Sequence, residues 1–288
     1  MSEATNNKKT VLITGCSSGI GHCTAMGLAK RGYQVIATVR NIQDKDRLNH
    51  PNIQTQLMDL QDSSSIQKGL DAILQNGPGH IDVLFNNAGF GQPGALADIP
   101  REAMRQQFET NVFGTLELTQ AVLRRMHQQG QGRILFNSSV LGFVSLPYRG
   151  AYNASKHALE ALADTLRLEF HDSGIYVSLI EPGPIRSHFR KTALRAFMQN
   201  IDVENSLFRN HYKKVLCRLQ TEDQHGKFTL PPEAVLKRVI HAIESPRPKI
   251  RYYVTLPTYM FAICKRLLPL FLQDSLLRLV EKYENQKP

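Results

Sequence analysis

The feature that most constrains this chain is an alternation. Short apolar, β-branched-rich runs recur along the sequence, each ends in small or polar residues, and helical patterns fill the intervals. The runs are Thr10 to Thr14, Tyr33 to Val39, Ile53 to Leu57, Ile81 to Phe85, Arg133 to Asn137 and Ile175 to Ile180. Helical patterns follow over Ile20 to about Lys30, Ser63 to Gln75 with Ser63 or Asp62 as N-cap, Arg101 to about Gln128, and Ala151 to about His171. Continuous apolar strands alternating with helices predict a parallel α/β sheet buried on both faces. In such a sheet ligands bind at the carboxyl ends of the strands. The motifs Gly15-Cys16-Ser17-Ser18-Gly19-Ile20-Gly21, Asp59-Leu60, Asn86-Asn87-Ala88-Gly89, Ser138-Ser139 and Glu181-Pro182-Gly183 all fall there.

After Gly183 the regularity stops. Residues 184 to 230 are mixed, basic and aromatic, Pro231-Pro232 opens a helix to about Glu244, and Lys249 to Val254 reads as a seventh, edge strand. The C-terminal stretch from Leu256 is amphipathic, with Pro257 and Pro269 inside it. At 288 residues and 42% hydrophobic content the chain suits one α/β domain with a large core. Within residues 1–288 we distinguish a cofactor-binding and catalytic core over 10–187, a substrate loop or lid over 188–230, and an amphipathic extension over 250–288. The net charge of +10 is not backed by zinc-finger spacing, an RNP-like motif or a dense basic block, so no nucleic-acid partner is expected. The polar N-terminus with Lys8 and Lys9 leads into no apolar h-region, and Cys16, Cys23, Cys217 and Cys264 form no C-x-x-C pair, so a reduced, cytoplasmic protein without a metal is expected.

A glycine-rich turn between the first strand and its helix presents backbone N–H groups and a positive helix end to a pyrophosphate. Gly15 allows the tight turn, while Gly19 and Gly21 allow close approach. At the end of the second strand stands Val39 followed by Arg40, where an NAD enzyme usually carries an acid for the ribose 2′-hydroxyl. A guanidinium suits a 2′-phosphate by charge and by fork geometry, so NADP(H) is preferred and NAD(H) use is left open. Ser17 can add a hydrogen bond. Cys16, though at a helix N-terminus, reads as a small residue of the turn.

Tyr152 and Lys156, four apart on a helix, share a face. Lowering a phenol from about 10 to near 7 takes roughly 4 kcal/mol. An ammonium at ~4 Å, in an effective dielectric near 20, supplies about that much. The pair can then serve as general acid for reduction and base for oxidation.

Thr14-Gly15-x-x-x-Gly19-x-Gly21, Asn86 to Gly89, Tyr152-x-x-x-Lys156 and Pro182-Gly183, in this order, resemble the classical short-chain dehydrogenase/reductase family. The match is clear over Thr10 to Ser187. Ser178 to Ser187 is similar to the bacterial NADP-dependent aldehyde reductases and the retinol and 17β-hydroxysteroid dehydrogenases. The resemblance implies a Rossmann-type doubly wound sheet of about seven strands in the order 3-2-1-4-5-6-7, and a homodimer or homotetramer. It implies that Ser139, thirteen residues before Tyr152 and preferred to Ser138, binds the carbonyl oxygen. Asn111 of Thr110-Asn111-Val112-Phe113-Gly114 would hold a water linking Lys156 to solvent, unless it is a structural asparagine bonding backbone. Gly15, Ser17, Ser18, Gly19, Ile20 and Gly21 would cradle the cofactor, Asp59 and Leu60 would contact adenine, and Asn87, Ala88 and Gly89 the adenosine ribose. Tyr152 and Lys156 would reach the nicotinamide ribose; Pro182, Gly183, Ile185 and Ser187 would wall the nicotinamide, Ser187 replacing the usual threonine.

The substrate implied is a small-molecule carbonyl or alcohol. Phe90, Pro93, Phe143, Val144, Leu146 and Tyr148, with Phe189 as lid, suggest a lipophilic aldehyde or ketone, although several could equally be core or dimer contacts. The extension reads first as pocket cover or subunit contact, with peripheral membrane contact ranked below them. The alternatives to an NADP-dependent aldehyde or carbonyl reductase are a non-catalytic NADP(H)-sensing or scaffold protein on the same fold, and an epimerase or dehydratase of the extended branch.

Overall fold

The computed structural model describes residues 9–220 and 228–286. Seven parallel strands form one sheet in the order β3-β2-β1-β4-β5-β6-β7. They are β1 (Thr10–Ile13), β2 (Gln34–Val39), β3 (Ile53–Leu57), β4 (Val83–Asn86), β5 (Gly132–Asn137), β6 (Ile175–Glu181) and β7 (Arg251–Tyr253). The order reverses direction after β3-β2-β1, so the chain runs outward from β1 on one side and from β4 on the other. The crevice between β1 and β4 is the switch point where a doubly wound sheet takes its ligand.

Side chains alternate across the sheet, and each face has its own core. Leu12, Ile36, Leu84, Ile134, Phe136 and Leu179 point to one side. There they pack on α2 (Ser63–Asn76), α4 (Gly114–Gln129) and α5 (Gly150–Glu169). Val11, Ile13, Val35, Ala37, Val83, Phe85, Leu135 and Ile180 point to the other. They meet α1 (Gly19–Lys30) and α8 (Glu233–Glu244). Each such fully buried aliphatic or aromatic side chain stabilises the fold by about 1.5–3 kcal/mol. Asp62 caps α2, accepting from Ser64 N at 2.9 Å.

Two departures from the sequence reading matter for the site. The helix expected over Arg101 to Gln128 is broken: α3 (Arg101–Phe108) and α4 are joined by a π-turn over Glu109–Phe113. The break could not be read from periodicity, because one extra residue per turn leaves the apolar pattern nearly intact. The irregular stretch after Gly183 contains two helices, α6 (Phe189–Asn200) and α7 (Arg209–Gln220). Ala193, Phe197, Ile201, Tyr212, Val215 and Leu219 close a small core of their own there. Of the expected substrate-loop segment, residues 221–227 lie outside the described residues, as do the first eight residues on which the reading of the N-terminus rested. The chain ends in α9 (Leu256–Leu267) and α10 (Leu270–Gln286). Among the described residues no helix is long and apolar enough to cross a membrane.

Candidate active site

The crevice is built by the ends of β1, β4 and β5 holding one another. Thr14 Oγ1 accepts from Asn87 N at 3.0 Å and from Ala88 N at 2.9 Å. Asn87 Nδ2 donates back to Thr14 O at 2.9 Å and Gly15 O at 3.2 Å. Asn137 Nδ2 donates to Asn87 Oδ1 at 3.0 Å, and Lys156 Nζ donates to Asn137 O at 2.6 Å. A continuous polar chain therefore ties the glycine-rich turn to Lys156. Thr14 stood in the motif without a role, and Asn137 was not singled out. Its one signal in the sequence is its place directly before Ser138-Ser139.

Gly15 sits at φ +70, where L side chains are strained. A Cβ on Gly21 would lie 2.3 Å from Gly15 O and 2.5 Å from Asn87 Nδ2, so helix α1 meets the turn and β4 only because that atom is absent. Ser18 precedes α1 in extended conformation and makes no side-chain cap, which leaves its hydroxyl and that of the half-buried Ser17 beside the helix end with Ile20. Cys16 is fully buried, donates to Ile13 O at 3.3 Å, and burial raises its thiol pKa, which removes it from thiolate chemistry.

The end of β2 is locked to the same turn: Cys16 N donates to Thr38 O at 2.8 Å and Gly15 N to Thr38 Oγ1 at 3.4 Å. Val39 is buried, and Arg40 emerges exposed at the rim with no ion pair to a described residue. Next to it, past β3, Asp59 Oδ1 accepts from Gln61 N at 3.0 Å and Leu60 is buried. Arg40, Asp59 and Leu60 thus lie on the β2–β3 side, apart from the reactive pair, with Asn87, Ala88 and Gly89 between. On the far side Pro182 O accepts from Val140 N at 2.8 Å, Ile185 bridges to Leu230, and Ser187 stands over Gly19, 3.2 Å from where a Cβ there would be. Gly183 backs onto Thr255, whose Oγ1 would be 2.1 Å from a Cβ.

The expected reactive groups lie around the ends of β4 and β5. Ser139 follows β5, its Oγ accepts from Leu141 N at 3.1 Å, and it acts on the Tyr152 phenol in the direction that favours the ionised form. Ser138, its competitor, is buried with an unpartnered Oγ, turned towards Gly142 and Glu160. Lys156 Nζ lies 5.7 Å from the centre of the Tyr152 ring. Asn111 makes no direct hydrogen bond to Lys156, but the two flank Gly89, where a Cβ would lie 3.1 Å from Asn111 Oδ1 and 3.8 Å from Lys156 Nζ. It sits on the π-turn, where its Oδ1 accepts from Phe90 N at 3.1 Å and its Nδ2 donates to Phe90 O at 3.0 Å and Ser155 Oγ at 3.1 Å.

Burial acts on Tyr152 and Lys156 in opposite directions. Burial pushes the phenol up to about 12, opposed by the Ser139 hydrogen bond and the charge of Arg149. Burial pushes Lys156 down to about 8, opposed by the charge of Glu160. The lysine is anchored on Asn137 O rather than on the phenol, so desolvation outweighs its attraction. Behind Lys156 the face of α5 continues with Glu160 and Asp164. Both meet Arg251 of β7, which also bonds Glu181 at 2.7 Å. Burial and the charge of Glu160 hold the Glu181 carboxyl well above the usual carboxylate range, with Arg251 opposing. The steps of four from Tyr152 through Lys156 and Glu160 to Asp164 were the available signal for this cluster, which the sequence reading missed.

The residues expected to line the substrate pocket divide. Phe189 packs edge-on to Tyr152 with ring centres 5.3 Å apart. Val144 and Leu146 belong to a small buried cluster with Leu141, flanked by Phe143, Tyr152, Phe261, Leu277 and Val280. Tyr148, at φ 60, belongs to the aromatic cluster of Phe208, His211 and Tyr212 on α7 and the loop before it. It is a contact of the satellite core rather than of the reactive pair.

The residues present fit a dinucleotide: glycines where backbone approaches, an exposed guanidinium at the rim, and a buried, unpartnered Asn137 Oδ1 beside the crevice. Comparisons with known proteins agree. The short chain dehydrogenase family model matches residues 9–196. The uncharacterized oxidoreductase YbbO of Escherichia coli K12 is 43% identical over 271 residues, covering 94% of each chain. Human retinol dehydrogenase 8 is 34% identical over 262 residues, covering 84% of this chain and 80% of that one. A short-chain dehydrogenase of Streptomyces avermitilis has a similar crystal structure, with TM-score 0.76 and 28% identity over 99% of this chain and 98% of that one.

Proposed function

The chain belongs to the short-chain dehydrogenase/reductase family of oxidoreductases, and on that premise we propose that it is an NADP(H)-dependent carbonyl reductase acting on a lipophilic aldehyde or ketone. The observation that carries the reading is the buried Lys156, 5.7 Å from the Tyr152 ring centre and tied through Asn137 and Asn87 to the glycine-rich turn, with Ser139 at the same strand end. When bound, NADPH would supply the hydride. Gly15, Gly19 and Gly21 would hold its pyrophosphate, Arg40 its 2′-phosphate, and Pro182 to Ser187 would flank the nicotinamide.

Tyr152 acts as the general acid. Its phenol is protonated at neutral pH, so a proton is available for the carbonyl oxygen as negative charge develops there. The Ser139 hydroxyl donates a second hydrogen bond to that oxygen and favours the phenolate left behind. Lys156, held by Asn137 O, keeps a positive charge one turn away and stabilises the same phenolate. Asn111, fixed by Phe90 and Ser155, would hold a water on the route by which Lys156 is reprotonated. The lack of an acid after β2 supports NADP(H), and Phe189 over Tyr152 supports an apolar substrate, as does the name of retinol dehydrogenase 8.

The test is NADPH oxidation against aldehydes and ketones of rising chain length, with NADH in parallel. Turnover that rises with chain length, prefers NADPH and vanishes in Tyr152→Phe supports the reading. Tight NADPH binding with no turnover across the panel would instead indicate a sensor or scaffold.

A further inference from the structure

The C-terminal helix α9 is apolar on two faces, and only one of them is covered. Thr258 and Ala262 are buried, and Phe261 packs with Leu277 and Val280 of α10 against the cluster of Leu141, Val144 and Leu146. This inner face is packed against the body of the chain. Leu256, Tyr259, Met260, Ile263 and Leu267 follow one another at steps of three, one, three and four, which places them on a single face of the helix. They are 59%, 41%, 52%, 57% and 75% exposed. Leu270 and Phe271, just past the turn at Pro269, continue the exposure at 73% and 67%. A soluble surface tolerates single exposed apolar residues, but a row of seven in one short stretch marks a place of interaction.

We propose that this face docks on an anionic lipid bilayer. Residues 256–272 carry two cations, Lys265 and Arg266, and no acid, in a chain of net charge +10. Arg266 is exposed on the flank of the apolar row, while Lys265, on the opposite side of the helix, donates to Phe143 O. Arg238 of α8 stands at the other end, donating to Tyr259 Oη at 3.3 Å. An apolar row with basic residues at its ends is the pattern of a helix lying in the headgroup region, its side chains in the acyl boundary and its cations on lipid phosphates. With twelve residues α9 is too short to span, so it rests on the surface. A second copy fits less well. Laid face to face, two such stretches would oppose cations with no acid on either side to meet them. The proposal stands apart from the reductase reading, because it concerns a surface on the far side of α9 from Tyr152.

The experiment is co-sedimentation of the full chain with vesicles of phosphatidylcholine, with and without phosphatidylglycerol. Binding is expected only with phosphatidylglycerol, and it should fall steeply as salt is raised. Met260→Glu combined with Ile263→Glu should lower the bound fraction at least about 10-fold. Both positions are exposed, so turnover of a short, water-soluble aldehyde by the variant should stay unchanged. Arg266→Gln, which leaves the apolar row intact, should weaken binding less. Absence of the wild-type chain from both vesicle pellets would overturn the proposal, and equal binding to neutral vesicles would overturn the choice of an anionic surface. A concentration-dependent dimer abolished by the double variant, with no pelleting, would assign the face to a second copy. Because the readout is lipid binding, failure here leaves the catalytic reading untouched.

Discussion

The two halves of this molecule reach their ligands by different means. On the β1–β4 side the crevice is made of backbone. Strand ends, a left-handed glycine and the N-terminus of α1 meet so closely that a single methyl group on Gly21 would collide with Gly15 O at 2.3 Å. On the other side, from Phe189 to the end, the surroundings of Tyr152 are made of side chains on helices, from Phe189 to Phe261 and Leu277. Backbone contacts fix one shape and tolerate little change. Side-chain contacts define a chemical character, here apolar, and can be trimmed. The comparison teaches that cofactor geometry is hard-wired in this fold, while the substrate surface is adjustable.

The largest expected effect lies where the halves join. Tyr152→Phe removes the proton donor but not its packing, and kcat should fall by about 10²–10⁴-fold. Calorimetric NADPH binding should be little changed, and loss of binding as well would erase the distinction between the halves. Next comes the hard-wired half itself. Gly21→Ala should lower unfolding stability by about 1–3 kcal/mol in urea and weaken NADPH binding, because neither Gly15 O nor Asn87 can yield without breaking the strand-end network. A fully stable, tightly binding Gly21→Ala would break the comparison outright.

The adjustable half should respond more mildly. Phe189→Ala should raise KM for long-chain aldehydes roughly 10-fold while leaving short ones nearly unaffected, since it removes apolar contact beside Tyr152 and no polar group. A matching loss for short substrates would show that Phe189 positions Tyr152 instead. The smallest effect concerns Glu181, at the β6 edge between the halves. Its carboxyl keeps in the folded state a proton that the unfolded chain releases above the ordinary value of 4.5. The stability it contributes is complete below that value and is lost as pH rises through the raised one. The melting temperature should therefore decline from about pH 5 to 8, and Glu181→Gln, which carries an N–H donor at every pH, should flatten the decline by about 2–4 °C. An identical slope in wild type and variant would move the effect to Glu160 or another group.

The same contrast governs what could be read without coordinates. The alternation of strands and helices, the glycine-rich turn and the Tyr152/Lys156 face were legible, because each rests on local spacing: short apolar runs, a tight turn, four residues on a helix; the strand order came with the family resemblance. Asn111 was singled out as a residue but not as part of a π-turn, since its partners Phe90 and Ser155 are 21 and 44 positions away. Arg251 and its three carboxylates were missed for the same reason, as they come from α5, β6 and β7. Tyr148 was read towards the pocket by its proximity in sequence to Tyr152, and its contacts lie instead with α7 and the loop before it.

By itself the sequence determined the doubly wound sheet and the motifs at its strand ends, because apolar periodicity and turn chemistry are properties of neighbours along the chain. Tertiary structure alone decided what surrounds Tyr152. The spacing brought a lysine within a turn of it, yet Lys156 is held by Asn137 O from another element, and burial by the surrounding helices raises the phenol rather than lowering it. The folded packing likewise decided which face of α9 is covered. Both faces are apolar in sequence, and only the position of Leu141, Val144 and Leu146 beneath one of them leaves the other to meet something outside the chain.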